Sequence, residues 1–175
     1  MNAPWQTLSP EERVAWHARG WRRALPFWFA LLTVLVTTVP VFGPAPLTPA
    51  LPLLCVIVWS LYQPSLMPPW AAVLVGLTTD LAQASPLGVN ATLMPALTLV
   101  LRDLEARLGP RSFALDWAMI GPILIIYQLL AWGVLALLGA TRDPLLLMPQ
   151  ALISWAIFPA MARGAAWAQR RIGIE

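Results

Sequence analysis

The sequence predicts an all-α protein, a polytopic membrane bundle of six transmembrane helices, and three observations carry that prediction. The 175 residues are 59% hydrophobic and only 11% charged, against about 25% charged in soluble domains. Long windows carry no charge at all, whereas a soluble core of this size needs charged residues along its helix faces. The eleven basic residues are all arginine, and they bound the apolar runs. One membrane domain follows, with no aqueous catalytic domain left over.

Residues 1–24 read as a cytoplasmic amphipathic lead-in. Ser9-Pro10-Glu11-Glu12 has the form of a helix start, with serine at the cap, proline in the first turn and glutamate three residues after the cap. Val14, Ala18, Trp21 and Leu25 then fall on one stripe, with Arg13, Arg19, Arg22 and Arg23 on the flanks and back. That pattern suits a helix lying on an anionic bilayer surface, with Trp16 the one large apolar residue on the wrong face. The stretch is too long and charged to begin a cleaved signal peptide. Pro46, directly after Gly43 to Ala45, opposes cutting there, so the first span is expected to stay.

The membrane domain occupies residues 25–161. The first span, 25–42, is about 27 Å long against a hydrocarbon core of about 30 Å, with Pro26 and Pro40 near its ends, where a missing amide donor disturbs least. The second, 49–62, is about 21 Å long and closes on Trp59 and Tyr62, rings that favour the interface. The third, 69–84, opens on a proline and Trp70. Within it Ala72 and Gly76 lie four apart, a spacing that lets a neighbouring helix approach closely. Ser85-Pro86-Leu87-Gly88 then breaks the helix.

The fourth span is placed at 89–104, although its apolar run ends at Leu101 and holds Pro95 in its middle. At about 20 Å it is too short to cross unaided. Either it extends into Arg102 to Leu108 with the charges snorkelling, or it pairs with the third segment as a re-entrant hairpin. Arg102 to Asp116 is the only charged internal stretch. The fifth span, 118–138, contains Gly121-Pro122, expected to kink it, and a loop with Arg142 and Asp143 follows. The sixth, 145–161, precedes a cytoplasmic tail, 162–175, carrying Arg163, Arg170 and Arg171.

With six spans, ten arginines fall on the side of both termini and Arg142 alone on the other. That asymmetry places both termini in the cytoplasm. A hairpin of segments three and four keeps the same count, so charge fixes the parity of the spans rather than their number.

Asp80 is the one acidic residue well inside an apolar segment. A carboxylate at a helix centre costs about 2.5 to 3.5 kcal/mol on insertion scales, so it faces protein or water. With Ser85 and Asn90 it forms the candidate polar site, and two readings stand open. It pairs with backbone amides or hydroxyls of the turn after the third span, or it lines a pocket or partner surface. Catalysis is the weakest class, because no second carboxylate, histidine or lysine lies in another span to complete an acid and base pair.

Other chemistry is poorly represented. There is no HExxH, no GxSxG and no phosphate-cradling glycine loop. Cys55 is the single cysteine and His17 the single histidine, so neither a disulfide nor a metal set is expected. No basic patch interleaved with aromatics marks a nucleic-acid surface. No catalytic residue, metal or cofactor is therefore assigned. Ala72 with Gly76, and Ala160 with Gly164, are the candidate packing faces for a partner helix.

The order of Trp59 to Pro64, then Gly76-Leu77-Thr78-Thr79-Asp80, then Pro86-Leu87-Gly88-Val89-Asn90 resembles the rod shape-determining protein MreD family. That resemblance implies a bacterial inner-membrane component of the complex that directs peptidoglycan synthesis during cell-wall elongation. It implies partnership with the single-span protein MreC and, through it, with the actin-like MreB filament and the wall synthases. It also implies a fold similar to the S components of energy-coupling-factor transporters, a bundle with an outward pocket. The leading expectation is a non-enzymatic scaffold acting by helix contacts, with cytoplasmic arginines meeting membrane lipids or acidic partner surfaces. The alternative is the substrate-binding subunit of a small-molecule uptake transporter, with Asp80 and the Ser85 to Asn90 turn lining its site.

Overall fold

The computed structural model describes residues 25–38, 49–109, 112–140, 145 and 147–172. The expected surface helix within 1–24, the loop closing the first span and the Arg142 and Asp143 loop lie outside the described residues. Among the described residues six helices run in order: α1 Leu25–Thr38, α2 Leu51–Tyr62, α3 Pro69–Ala82, α4 Val89–Leu108, α5 Phe113–Leu137 and α6 Leu147–Ile172. No strand occurs among the described residues.

α2 is the hub of the bundle, because it is apolar on every side and has no polar face to turn outward. Every residue from Pro52 to Leu61 is buried. The Ser154 hydroxyl of α6 accepts from the Ala50 amide at 2.9 Å, satisfying a backbone donor just ahead of α2.

α4 runs as one helix of 20 residues through Pro95 and on into the charged segment, a length of about 30 Å. A pair of crossing helices and a re-entrant hairpin share two features seen here. The helix continues to Leu108, and it also packs antiparallel against α3. Near the far end of that hairpin the Arg102 guanidinium donates to the carbonyls of Pro64 and Met67, the latter at 3.0 Å. The cation thereby caps the α2–α3 turn, where backbone acceptors would otherwise lack donors.

α5 begins at Phe113, ahead of the apolar run, because Ser112 supplies a cap: its hydroxyl accepts from the Leu115 amide at 3.4 Å. Asp116 in the first turn suits the positive end of the helix dipole. α6 extends through Arg163 and Arg170 to Ile172, so the tail continues the last helix.

α5 and α6 are joined by two ring pairs. Phe113 stacks on Phe158 with centroids 6.3 Å apart, and Trp117 on Trp155 at 4.8 Å with planes 11° apart. The tryptophans also exchange hydrogen bonds: the Trp117 indole donates to the Trp155 carbonyl at 3.2 Å, and the Trp155 indole to the Trp117 carbonyl at 2.8 Å. Pro159 explains the first of these. Lacking an N–H, it leaves the carbonyl four residues before it, that of Trp155, without its helical donor. Gly121 gives the ring room, since a Cβ there would lie 3.3 Å from the Trp155 indole nitrogen.

Trp117→Phe, which keeps the stack and removes the donor, is expected to cost about 1 kcal/mol. The cost should shrink in a Pro159→Ala background, where the helix regains its own donor. Unfolding curves in detergent for the two single variants and the double variant measure that coupling.

Among the described residues, α5 alone is long and apolar enough to cross a bilayer by itself, with 25 residues and a mean hydropathy of 2.0, and only 22% of its most apolar window is buried. α1, α2 and α3 are shorter apolar helices. Ile126, Leu129, Leu130 and Leu137 of α5, with Trp28, Leu32 and Leu35 of α1, point away from the core. Large apolar side chains turned outward in this number suit a hydrocarbon surround.

Candidate functional site

The site is the turn between α3 and α4. α3 ends at Ala82, Ala84 takes a positive φ of 49°, and Gly88 sits at φ 107° immediately before α4. That last conformation is one that a side chain strains to adopt, so glycine is the residue that lets α4 start where it does.

The first backbone amides of a helix have no partner within it. Here a side chain from the preceding helix serves them. Asp80 is fully buried, and its Oδ2 accepts from the amides of Gly88 at 3.0 Å and Ala91 at 3.2 Å. The Asn90 amide is shared between Oδ1 at 3.0 Å and Oδ2 at 3.1 Å. Oδ1 also accepts from the Asn90 side-chain amide at 2.8 Å and from the Ser85 hydroxyl at 3.1 Å. Five donor groups therefore converge on one carboxylate, which offers about four lone-pair sites. Its negative charge also lies at the positive end of the α4 dipole.

Gly76, one turn before Asp80 on the same face of α3, makes the arrangement possible. A Cβ there would fall 2.6 Å from the Asn90 carbonyl carbon and 2.7 Å from the Ala91 Cα, with the Asn90 carbonyl oxygen closer still. The glycine admits the first turn of α4 against the α3 backbone, and the aspartate four residues on seizes its amides. Asn90 passes the connection to α5, because its Oδ1 accepts from the Tyr127 hydroxyl at 2.7 Å.

Asp80, Ser85 and Asn90 are thus brought together in one network. Ala72 and Gly76 are both buried within the chain, which corrects their assignment as a face for a partner helix: the helix that approaches Gly76 is the protein's own α4. Ala160 and Gly164 differ. Both are exposed, and nothing lies within 4 Å of where a Gly164 Cβ would stand.

Two residues absent from the sequence reading belong here. Tyr127 and Gln128 of α5 border a cavity of about 100 Å³ between the start of α2, the α3–α4 turn, α5 and the start of α6. Neither is ionisable near neutrality, so a search for charged groups passes over them. Their signal is an adjacent polar pair in the middle of the longest apolar run.

Among the described residues, an all-helical bundle that turns apolar side chains outward and commits its one buried acid to joining two helices suits a protein embedded in lipid. The comparison with family models then specifies it. The model described as rod shape-determining protein MreD matches residues 21–162, and the chain belongs to this family. It is accordingly a bacterial membrane protein concerned with cell shape. Neither the curated proteins nor the solved structures contain a match.

Proposed function

We propose that the protein is a non-enzymatic component of the cell-wall elongation complex in the bacterial inner membrane, acting through lateral helix contacts. The observation that carries this reading is the state of Asp80: it is the only buried acid among the described residues, and its oxygens are filled by five donors. A carboxylate so occupied has no acceptor site to spare for a ligand. Helix faces are then the means of action left to the chain.

The partners are an MreC-like single-span protein and, through it, an MreB-like filament and the wall synthases. The chain crosses six times with both termini in the cytoplasm; the shared side of the termini is supported by ten arginines there against Arg142 on the other face. The bundle is similar in plan to S components of energy-coupling-factor transporters, and its cavity would then open outward.

The face proposed for the single-span partner is that of Ala160 and Gly164, open in the isolated chain and suited to close helix approach. Gly164→Leu is expected to weaken copurification of that partner by about tenfold, a change of about 1.4 kcal/mol, and to round rod-shaped cells. The melting temperature of the purified chain should stay the same. A photo-crosslinker at Ala160 should capture the partner. Absence of an adduct from every exposed position of α6, with the chain purifying alone, would contradict the scaffold reading.

A further inference from the structure

We propose that the cavity beside the α3–α4 turn binds a small uncharged polyhydroxyl group of glycerol type. Gln128 is the starting point. Its side chain is only 7% exposed, borders the cavity, and neither its amide oxygen nor its amide nitrogen has a hydrogen-bond partner. A buried carboxamide left without partners is costly and is seldom retained without a reason. The Ser60 hydroxyl of α2, also buried without a partner, does not border this cavity.

The remaining lining defines the chemistry. No charged residue borders the cavity, so an ionic ligand would enter without a counter-charge, which burial penalises heavily. Asp80 does not contribute one, because its carboxylate is spent on the α4 amides. Three hydroxyls border the space, and each has its single proton directed into the protein. Tyr127 donates to Asn90 at 2.7 Å, Thr79 to the Val75 carbonyl at 2.7 Å and Ser85 to Asp80 at 3.1 Å. What each turns toward a guest is acceptor capacity. Gln128 adds one acceptor and two donors side by side, a pattern that matches adjacent hydroxyls.

Size narrows the guest further. About 100 Å³ is room for a few waters and no more than a small guest. Three linked hydroxyls can stand in their place. The apolar part of the lining, including Leu53, Met94 and Leu135 beside the polar Gln83, Asn90 and Gln150, suits the carbon chain that links them. Such a group reaches the site either as a free polyol or as the terminal glycerol of a lipid headgroup.

The full-length protein in nanodiscs tests this with two probes and two variants. Phosphatidylglycerol is compared with phosphatidylcholine, and free glycerol with betaine at equal osmolality, each read as a shift in melting temperature. Gln128→Leu removes the orphaned amide, so without ligand it should melt about 2 to 4 °C higher than the parent. It should also lose the response to the binding probe. Gln83→Trp, at an exposed position on the rim, should block entry without altering the unliganded melting temperature.

A rise of several degrees with phosphatidylglycerol, seen in the parent and absent from both variants, supports the proposal and identifies a lipid source. The same pattern with glycerol alone supports it and identifies a soluble one. Equal responses of parent and variants to every probe would overturn it, leaving a cavity filled by water. So would a Gln128→Leu variant that melts lower than the parent, since that result gives the amide a partner inside the protein.

Discussion

Asp80→Leu should lose about 3 to 5 kcal/mol of stability, enough in a marginally stable fold to deplete the protein from the membrane. The reason is the number of groups released at once. Five donors, three of them backbone amides at the start of α4, lose their acceptor where no helical partner replaces it. Asp80→Asn preserves the shape and yet is far from neutral. Every group facing the carboxylate donates, so the new amide nitrogen meets donors on its own side and one acceptor is lost. An expected loss of about 2 kcal/mol places it between the parent and the leucine variant. Unfolding in mixed micelles and the amount of chain recovered from membranes both follow this order if the carboxylate acts as a cap.

Gly76→Val is the second large effect. Its side chain would enter a contact in which the nearest atoms are Asn90 and Ala91 backbone, and backbone inside a helix cannot rotate aside as a flexible side chain does. Overpacking of this kind costs about 3 kcal/mol. It also pulls the α4 amides away from Asp80, so the two effects share one origin. Gly76→Ala combined with Asp80→Asn should therefore cost less than the sum of the separate changes, because the first substitution already loosens the cap. The chain most affected is the α3–α4 hairpin, whereas the Trp117 and Trp155 rings on α5 and α6 should keep their stack.

Much of the helical character is legible in the sequence, since apolar runs punctuated by proline and glycine leave little else for the backbone to form. The cluster of Asp80, Ser85 and Asn90 is legible as well, because an acid placed ten residues or fewer from a run of turn donors can reach them. The partner of Gly76 is not. A small residue in an apolar helix announces that some helix comes close, and spacing alone does not distinguish a neighbour in the same chain from one in another. The start of α5 is missed because Ser112 lies among charged residues that read as loop, although a capping hydroxyl lets a helix begin there. Gln128 is missed for a different reason. Its significance depends on what surrounds it, and nothing in the sequence tells that its amide ends in a cavity without partners.

Hydrogen exchange at the Asn90 and Ala91 amides tests the central claim most directly, comparing the parent chain with Asp80→Asn in the same detergent. These are first-turn amides, which exchange quickly when a helix start is served only by water. A carboxylate cap predicts protection in the parent close to that of mid-helix α4 amides, a sharp loss of it in the variant, and little change in α5 and α6. Rapid exchange in the parent, or protection that survives the substitution undiminished, would contradict the cap and with it the assignment of Asp80 to architecture.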